Sequence, residues 1–138
     1  MDIGKRDFET LSEFRYRLRC FQRFSENAAQ QAGITPHQYL LLLHLKGFPG
    51  RDWATVGELA ERLQVRHHGV VSLVSRAQKL KLVARKNSSL DRRQVEVHLL
   101  ARGEQFLRTL AARHQAELET LEKIFKISVS TTEFHAFS

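Results

Sequence analysis

The chain has 138 residues, 42% of them hydrophobic, 27% charged, and a formal net charge of +7. That hydrophobic fraction builds one ordinary core and excludes a disordered tail, and no apolar run reaches membrane-spanning length. The single cysteine, Cys20, excludes an internal disulfide framework and a thiolate metal cluster, and "MDIGKRDFETLSEF" lacks the apolar stretch of a secretory signal, so a protein of the reducing cytoplasm is expected.

Residues Asp7 to Gln31 read as a long helix, with apolar residues at Leu11, Phe14, Leu18 and Phe21 and a second row at Tyr16, Cys20 and Phe24. Two apolar rows imply two packing partners, while Arg15, Arg19 and Arg23 share a polar side. Asp7 and Thr10 both qualify as its cap. Gly33 ends this helix, and "TPHQ" opens the next with Thr35 as N-cap, Pro36 at the first helical position and Gln38 completing a capping box. The body "YLLLLHL" is apolar all round and should be central to the core. "KGFPGRDW" then breaks the chain.

Thr55 and Glu58 repeat the capping box, and "ELAERL" turns Leu59, Ala60 and Leu63 inward. After a turn at Gln64 to Arg66, a helix from His67 to about Lys81 places Val70, Val74, Ala77 and Leu80 on one side and His68, Ser72, Arg76 and Lys79 on the other. "LVARK", "NSSLDRR" and "QVEVHL" read as strand, loop and strand, with Val95, Val97 and Leu99 facing one way and Gln94, Glu96 and His98 the other. Ala101 to about Lys126 forms a last long helix with a pairing seam at Leu107, Leu110, His114, Leu118, Leu121 and Phe125. The tail "ISVSTTEFHAFS" has no clear pattern.

Charge is not spread evenly. Between Glu61 and Leu100 there are nine Lys or Arg against three acids, so nearly all of the positive excess lies in that stretch. Two short helices joined by a tight turn and followed by a hairpin are the parts of a winged helix-turn-helix. In such a unit the second helix enters a major groove and the hairpin tip reaches the neighbouring minor groove, where a narrow groove concentrates negative potential and favours arginine. Asp91 is placed to hold Arg93 by a charge-assisted bond.

These residues resemble a known family. "LDRRQVEVHLLARGEQFL" looks like the Asp-x-Arg wing and the Leu-Thr-x-x-Gly start of the following helix in the MarR family of bacterial transcription regulators, and "ITPHQYLLLLHL", "TVGELAERL" and "HHGVVSLVSRAQKLKLV" match its preceding helices in order and spacing. The resemblance covers roughly Ile34 to Leu110. It implies a mainly α fold: a winged helix-turn-helix lobe at 34–100 with a two-stranded β wing, flanked by dimerisation helices at 1–33 and 101–138. It further implies a homodimer whose two wings and recognition helices read a near-palindromic double-stranded operator, as a repressor released by a small phenolic or anionic effector. Three positions depart from the family pattern: Leu100 replaces a capping threonine, Arg66 replaces a capping hydroxyl, and Lys81 replaces a helix-ending glycine.

The DNA-binding residues expected from this reading are His67, His68, Ser72 and Arg76 at base edges, Lys79, Arg85, Lys86 and Arg92 at the backbone, and Arg93, held by Asp91, in the minor groove. Cys20 is expected to be a small buried hydrophobe rather than a redox sensor. The seven histidines show no metal-ligand spacing, and His44 and His114 sit on apolar faces as interior or dimer-seam residues. No metal, cofactor or catalytic constellation is expected. Two rivals share the scaffold: a winged-helix module that binds protein, and an architectural protein that binds any duplex.

Overall fold

The first helix, α1 (Lys5–Gln31), begins two residues earlier than its apolar pattern suggests, because the Gly4 N–H donates to Asp7 Oδ2 at 3.0 Å. Thr10 is not a cap: its hydroxyl donates to the Arg6 carbonyl inside the helix. At the other end Gly33 takes φ +89°, and the Gly33 and Ile34 N–H groups donate to the carbonyls of Gln30 and Ala29. Cys20 is exposed, which corrects its expected burial. Its row-mates Tyr16 and Phe24 are exposed too, as are Phe8 and Leu11. Helical spacing reveals an apolar row but not whether the same chain covers it.

The structure, a computed structural model, describes residues 2–110, 115, 116, 118–124 and 126. It divides into two units, Ala29–Leu110 and a second drawn from Met1–Ala28 and Ala111–Ser138. No helix among the described residues is long and apolar enough to cross a membrane.

The Ala29–Leu110 unit is built around α2 (Pro36–Lys46), where Tyr39, Leu41, Leu42 and Leu45 are fully buried, as expected for a helix apolar on all sides. Its capping box is formed in both directions: Gln38 N–H donates to Thr35 Oγ1 at 3.1 Å and Thr35 N–H to Gln38 Oε1 at 3.0 Å. The same box starts α3 (Val56–Leu63) at Thr55 and Glu58. Gln64 then turns the chain with φ 54° into α4 (His67–Lys79). Arg66 makes no side-chain cap there. Val70, Val74 and Ala77 are buried as expected and Leu73 joins them. Leu80 does not: the helix stops at Lys79, so Leu80 leaves the helical phase and is 44% exposed.

The wing strands are β2 (Val83–Asn87) and β3 (Val95–Leu99). A third strand, β1 (Trp53–Thr55), also pairs antiparallel with β3, Ala54 opposite Val97, giving the order β1-β3-β2. The expected two-stranded wing is therefore a three-stranded sheet. Three residues are too few for alternation to register, and the pairing partner lies across two helices. Helix α5 (Ala101–Thr109) follows β3 directly, its start tied by Leu100 N–H donating to the Leu82 carbonyl at 3.0 Å. Residues 115, 116, 118–124 and 126 are helical. Leu107 and Leu110, expected at a pairing seam, are instead buried, while Leu118 is 66% exposed. His114, Phe125 and the tail lie outside the described residues.

Lys81 stands at φ 61°, the left-handed region that an L side chain enters at a cost of about 1–2 kcal/mol. Glycine there avoids that strain but loses about 0.5–1 kcal/mol in chain entropy. Lys81→Gly is expected to stabilise the protein slightly, raising Tm by roughly 2–4 °C. A thermal melt by circular dichroism checks it, and an unchanged or lowered Tm counts against the strain.

Candidate nucleic-acid interface

The exposed side of α4 is set by its buried side. With Val70, Val74 and Ala77 locked into the core, His68, Ser72, Arg76 and Lys79 fall within about 80° of helical arc and are all exposed. His67 is exposed but off this stripe, next to Val71 on the side toward the wing. It lines a cavity of about 360 Å³ with Gly57 at the start of α3, Val71 on α4, and Arg85, Arg93 and Gln94 on the wing. Helix α4, the first turn of α3 and the wing thus surround one concave surface whose charged side chains are all cationic.

The wing tip is a built turn. Ser88, 7% exposed, accepts the N–H groups of Leu90 and Asp91 on its hydroxyl, both at 3.2 Å, and Ser88 N–H donates to the Gln94 carbonyl at 3.1 Å. Asp91 acts differently from the expectation. Its Oδ1 accepts the backbone N–H of Arg93 at 3.0 Å, so it fixes the peptide from which the Arg93 side chain springs rather than the guanidinium. This is the local turn chemistry of a short carboxylate two residues ahead of a backbone donor. Ser88, missed by the sequence reading, carries the same signal. Asp91, Arg92 and Arg93 are exposed, and Leu90 at the tip is 98% exposed.

Among the expected backbone contacts, Lys79 and Lys86 are exposed, whereas Arg85 is half-buried and engaged. Its guanidinium donates to Gln78 Oε1 at 2.9 Å, the Val71 carbonyl at 2.9 Å and Ser75 Oγ at 2.8 Å.

A second cluster escaped the sequence reading. The Arg51 guanidinium lies 4.2 Å from the Phe48 ring centre and 3.9 Å from that of Trp53, and Arg62 lies 4.8 Å from Phe48. Trp53 stacks on His98 at 5.6 Å, and His98 Nε2 pairs with Glu96 Oε1 at 2.9 Å. Arg51 also pairs with Glu58. Burial pushes the Glu58 carboxyl up, but hydrogen bonds from Thr55 and Arg51 outweigh it and hold the group below the usual carboxylate range. The cluster braces β1 and the start of α3. Burial, with Arg62 nearby, pushes His44 below the ordinary histidine value, consistent with a neutral, partly interior side chain. Among the described residues no three His, Cys, Asp or Glu are grouped to hold a metal ion.

Comparison with known proteins bears on this lobe. Residues 32–94 match the profile of the MarR family. Over 95 residues the chain is 32% identical to an uncharacterised HTH-type transcriptional regulator, YsmB of Bacillus subtilis, covering 69% of this chain but only 63% of that protein, so the chain spans less than two thirds of this relative's length. Among solved structures it resembles AbsC, a MarR family transcriptional regulator from Streptomyces coelicolor, with TM-score 0.76 and 20% identity over 100% of this chain and 99% of that one. It also resembles S. aureus MepR, solved in complex with DNA, with TM-score 0.71 and 18% identity over 98% of each chain. At such identities these two likenesses speak for the fold alone, and the fold they share is the winged helix-turn-helix described above. The profile match falls on α2, α3, α4 and β2, so in this lobe the chain is similar to MarR family regulators in sequence, and its fold is the one these structures share.

Proposed function

We propose that the protein is a sequence-specific double-stranded DNA-binding transcriptional regulator, a repressor acting as a homodimer on a pseudo-palindromic operator and released by a small phenolic or anionic ligand. The observation that carries the reading is the common exposure of the α4 stripe and of the wing-tip arginines, with His67, Arg85 and Arg93 lining the concavity between α4 and the wing. His68 and Ser72 face base edges from the N-terminal half of α4, with His67 beside them and Arg76 at the far end. Lys79, Lys86 and Arg92 neutralise phosphates, and Arg93, its peptide held by Asp91, enters the minor groove.

The exposed apolar residues of α1, Phe8, Leu11, Tyr16 and Phe24, support pairing of residues 1–33 and 101–138 with a second copy, since a row of large apolar side chains left in water is costly. Such a dimer presents two 34–100 lobes to two half-sites. The DNA complex of MepR supports the same use of the fold. The reading places the protein in the cytoplasm, gives it no cofactor and assigns it no catalysis.

The test is a fluorescence-anisotropy titration with DNA from upstream of its own gene against nonspecific competitor, over a salt series. Specific binding with a steep salt dependence is expected, and Arg92→Ala should flatten the log–log slope by about one unit. Equal affinity for a scrambled duplex would leave an architectural binder, and no binding at low salt would leave a protein-interaction module.

A further inference from the structure

Arg85 is among the cations of the wing, yet its guanidinium is already committed. Three acceptors are arrayed around it: Gln78 Oε1, Ser75 Oγ and the Val71 carbonyl, at 2.8 to 2.9 Å. All three belong to α4, on the side that turns toward the wing, and Arg85 belongs to β2, opposite Val97 in the sheet register. One terminal nitrogen serves Gln78 and the other serves both Val71 and Ser75, a planar fork that a lysine ammonium cannot reproduce. The Val71 carbonyl is a backbone group, so the bond fixes the helix itself and not only a neighbouring side chain.

We propose that Arg85 is a positioning residue that staples the recognition helix to the root of the wing, setting the angle at which Arg93 is delivered relative to His68 and Ser72, and that it does not itself neutralise a phosphate. The inference rests on the DNA-binding reading above. Helix and hairpin must meet adjacent grooves of one duplex at the same time, so a wing free to swing weakens binding through lost orientation while every contacting group is still present. Both Arg85 and Arg93 line the cavity between α4 and the wing, so the staple and the arginine it aims border one concavity.

The staple predicts a pattern that a phosphate contact does not. Arg85→Gln and Arg85→Lys should each weaken operator binding by about tenfold with the salt slope unchanged, because no counterion-releasing contact is lost. A direct phosphate contact instead predicts a slope flatter by about one unit in Arg85→Gln and near-normal binding in Arg85→Lys. In the Arg85→Gln background, Arg93→Ala should weaken binding by less than about threefold, against tenfold or more in the parent, since coupled residues are not additive.

A measurement without DNA keeps the staple separable from the DNA-binding reading. On a Cys20→Ser background, spin labels at Arg66→Cys and Leu90→Cys report the distance from the start of α4 to the wing tip, with labelled chains diluted by unlabelled ones. A narrow distribution should broaden in both Arg85 variants while the circular dichroism spectrum is retained. An unchanged distribution overturns the staple, and so does a broadened one accompanied by an undiminished cost of Arg93→Ala. If the parent binds no duplex, the DNA-binding reading falls and the spin labels alone decide whether Arg85 fixes the wing.

Discussion

Arg93→Ala is expected to weaken operator binding by about tenfold to a hundredfold at fixed salt, about 1–3 kcal/mol, while leaving the melting temperature within a degree or two. The separation of the two effects follows from how the side chain is held. Arg93 is exposed, and its one bond to Asp91 uses the backbone N–H, which alanine keeps. The turn closed by Ser88 and the Gln94 carbonyl therefore survives the substitution. What is lost is a guanidinium that lines the cationic concavity and that the proposed reading assigns to a narrow groove, where the potential is most negative. The check is an anisotropy titration of parent and variant at matched salt with a thermal melt of each. Affinity equal to the parent would remove the wing from the interface. Because Arg93 is assigned to a groove and Arg92 to a phosphate, Arg93→Ala should also reduce the ratio of operator to scrambled-site affinity, whereas Arg92→Ala lowers both alike.

The parts of the lobe that could be read from sequence are those governed by neighbours in the chain. Both capping boxes, at Thr35 with Gln38 and Thr55 with Glu58, form as expected because each needs only two residues three apart. The buried face of α4 and the exposure of His68, Ser72, Arg76 and Lys79 follow from helical period. Features decided by distant partners were not legible. Strand β1 exists because β3 offers it an edge, and the Arg51 cluster depends on Phe48 and Trp53 converging across the break before α3. Arg85 looked like one more surface cation because nothing local announces that Val71, Ser75 and Gln78 gather around it. The exposure of Cys20 had the same origin: an apolar row implies a cover without saying which chain supplies it.

Gly103→Ala is the substitution expected to damage the fold most for its size. A Cβ at this position would lie inside van der Waals contact of the Leu82 carbonyl oxygen, 2.8 Å from Leu99 Cδ1 and 3.2 Å from Leu42 Cδ2. The carbonyl cannot simply withdraw, since it accepts the Leu100 N–H that ties the start of α5 to the residue before β2. Leu42 is fully buried in the central helix, so the pressure is passed into the core. Overpacking of this kind costs about 1–3 kcal/mol and more where backbone must move, whereas alanine's better helix propensity returns only about 1 kcal/mol. A net loss of about 2–3 kcal/mol is expected, read as a lower urea midpoint with an unchanged m-value. Gly69→Ala is the matched control: its Cβ would crowd only Val65 Cγ1, at 2.7 Å, a side-chain end, and the gain in helix propensity offsets much of that. A Gly103→Ala midpoint no lower than that of Gly69→Ala would mean that α5 can ride away from Leu82. The close approach of α5 to the residue before β2 would then not be what fixes the start of α5.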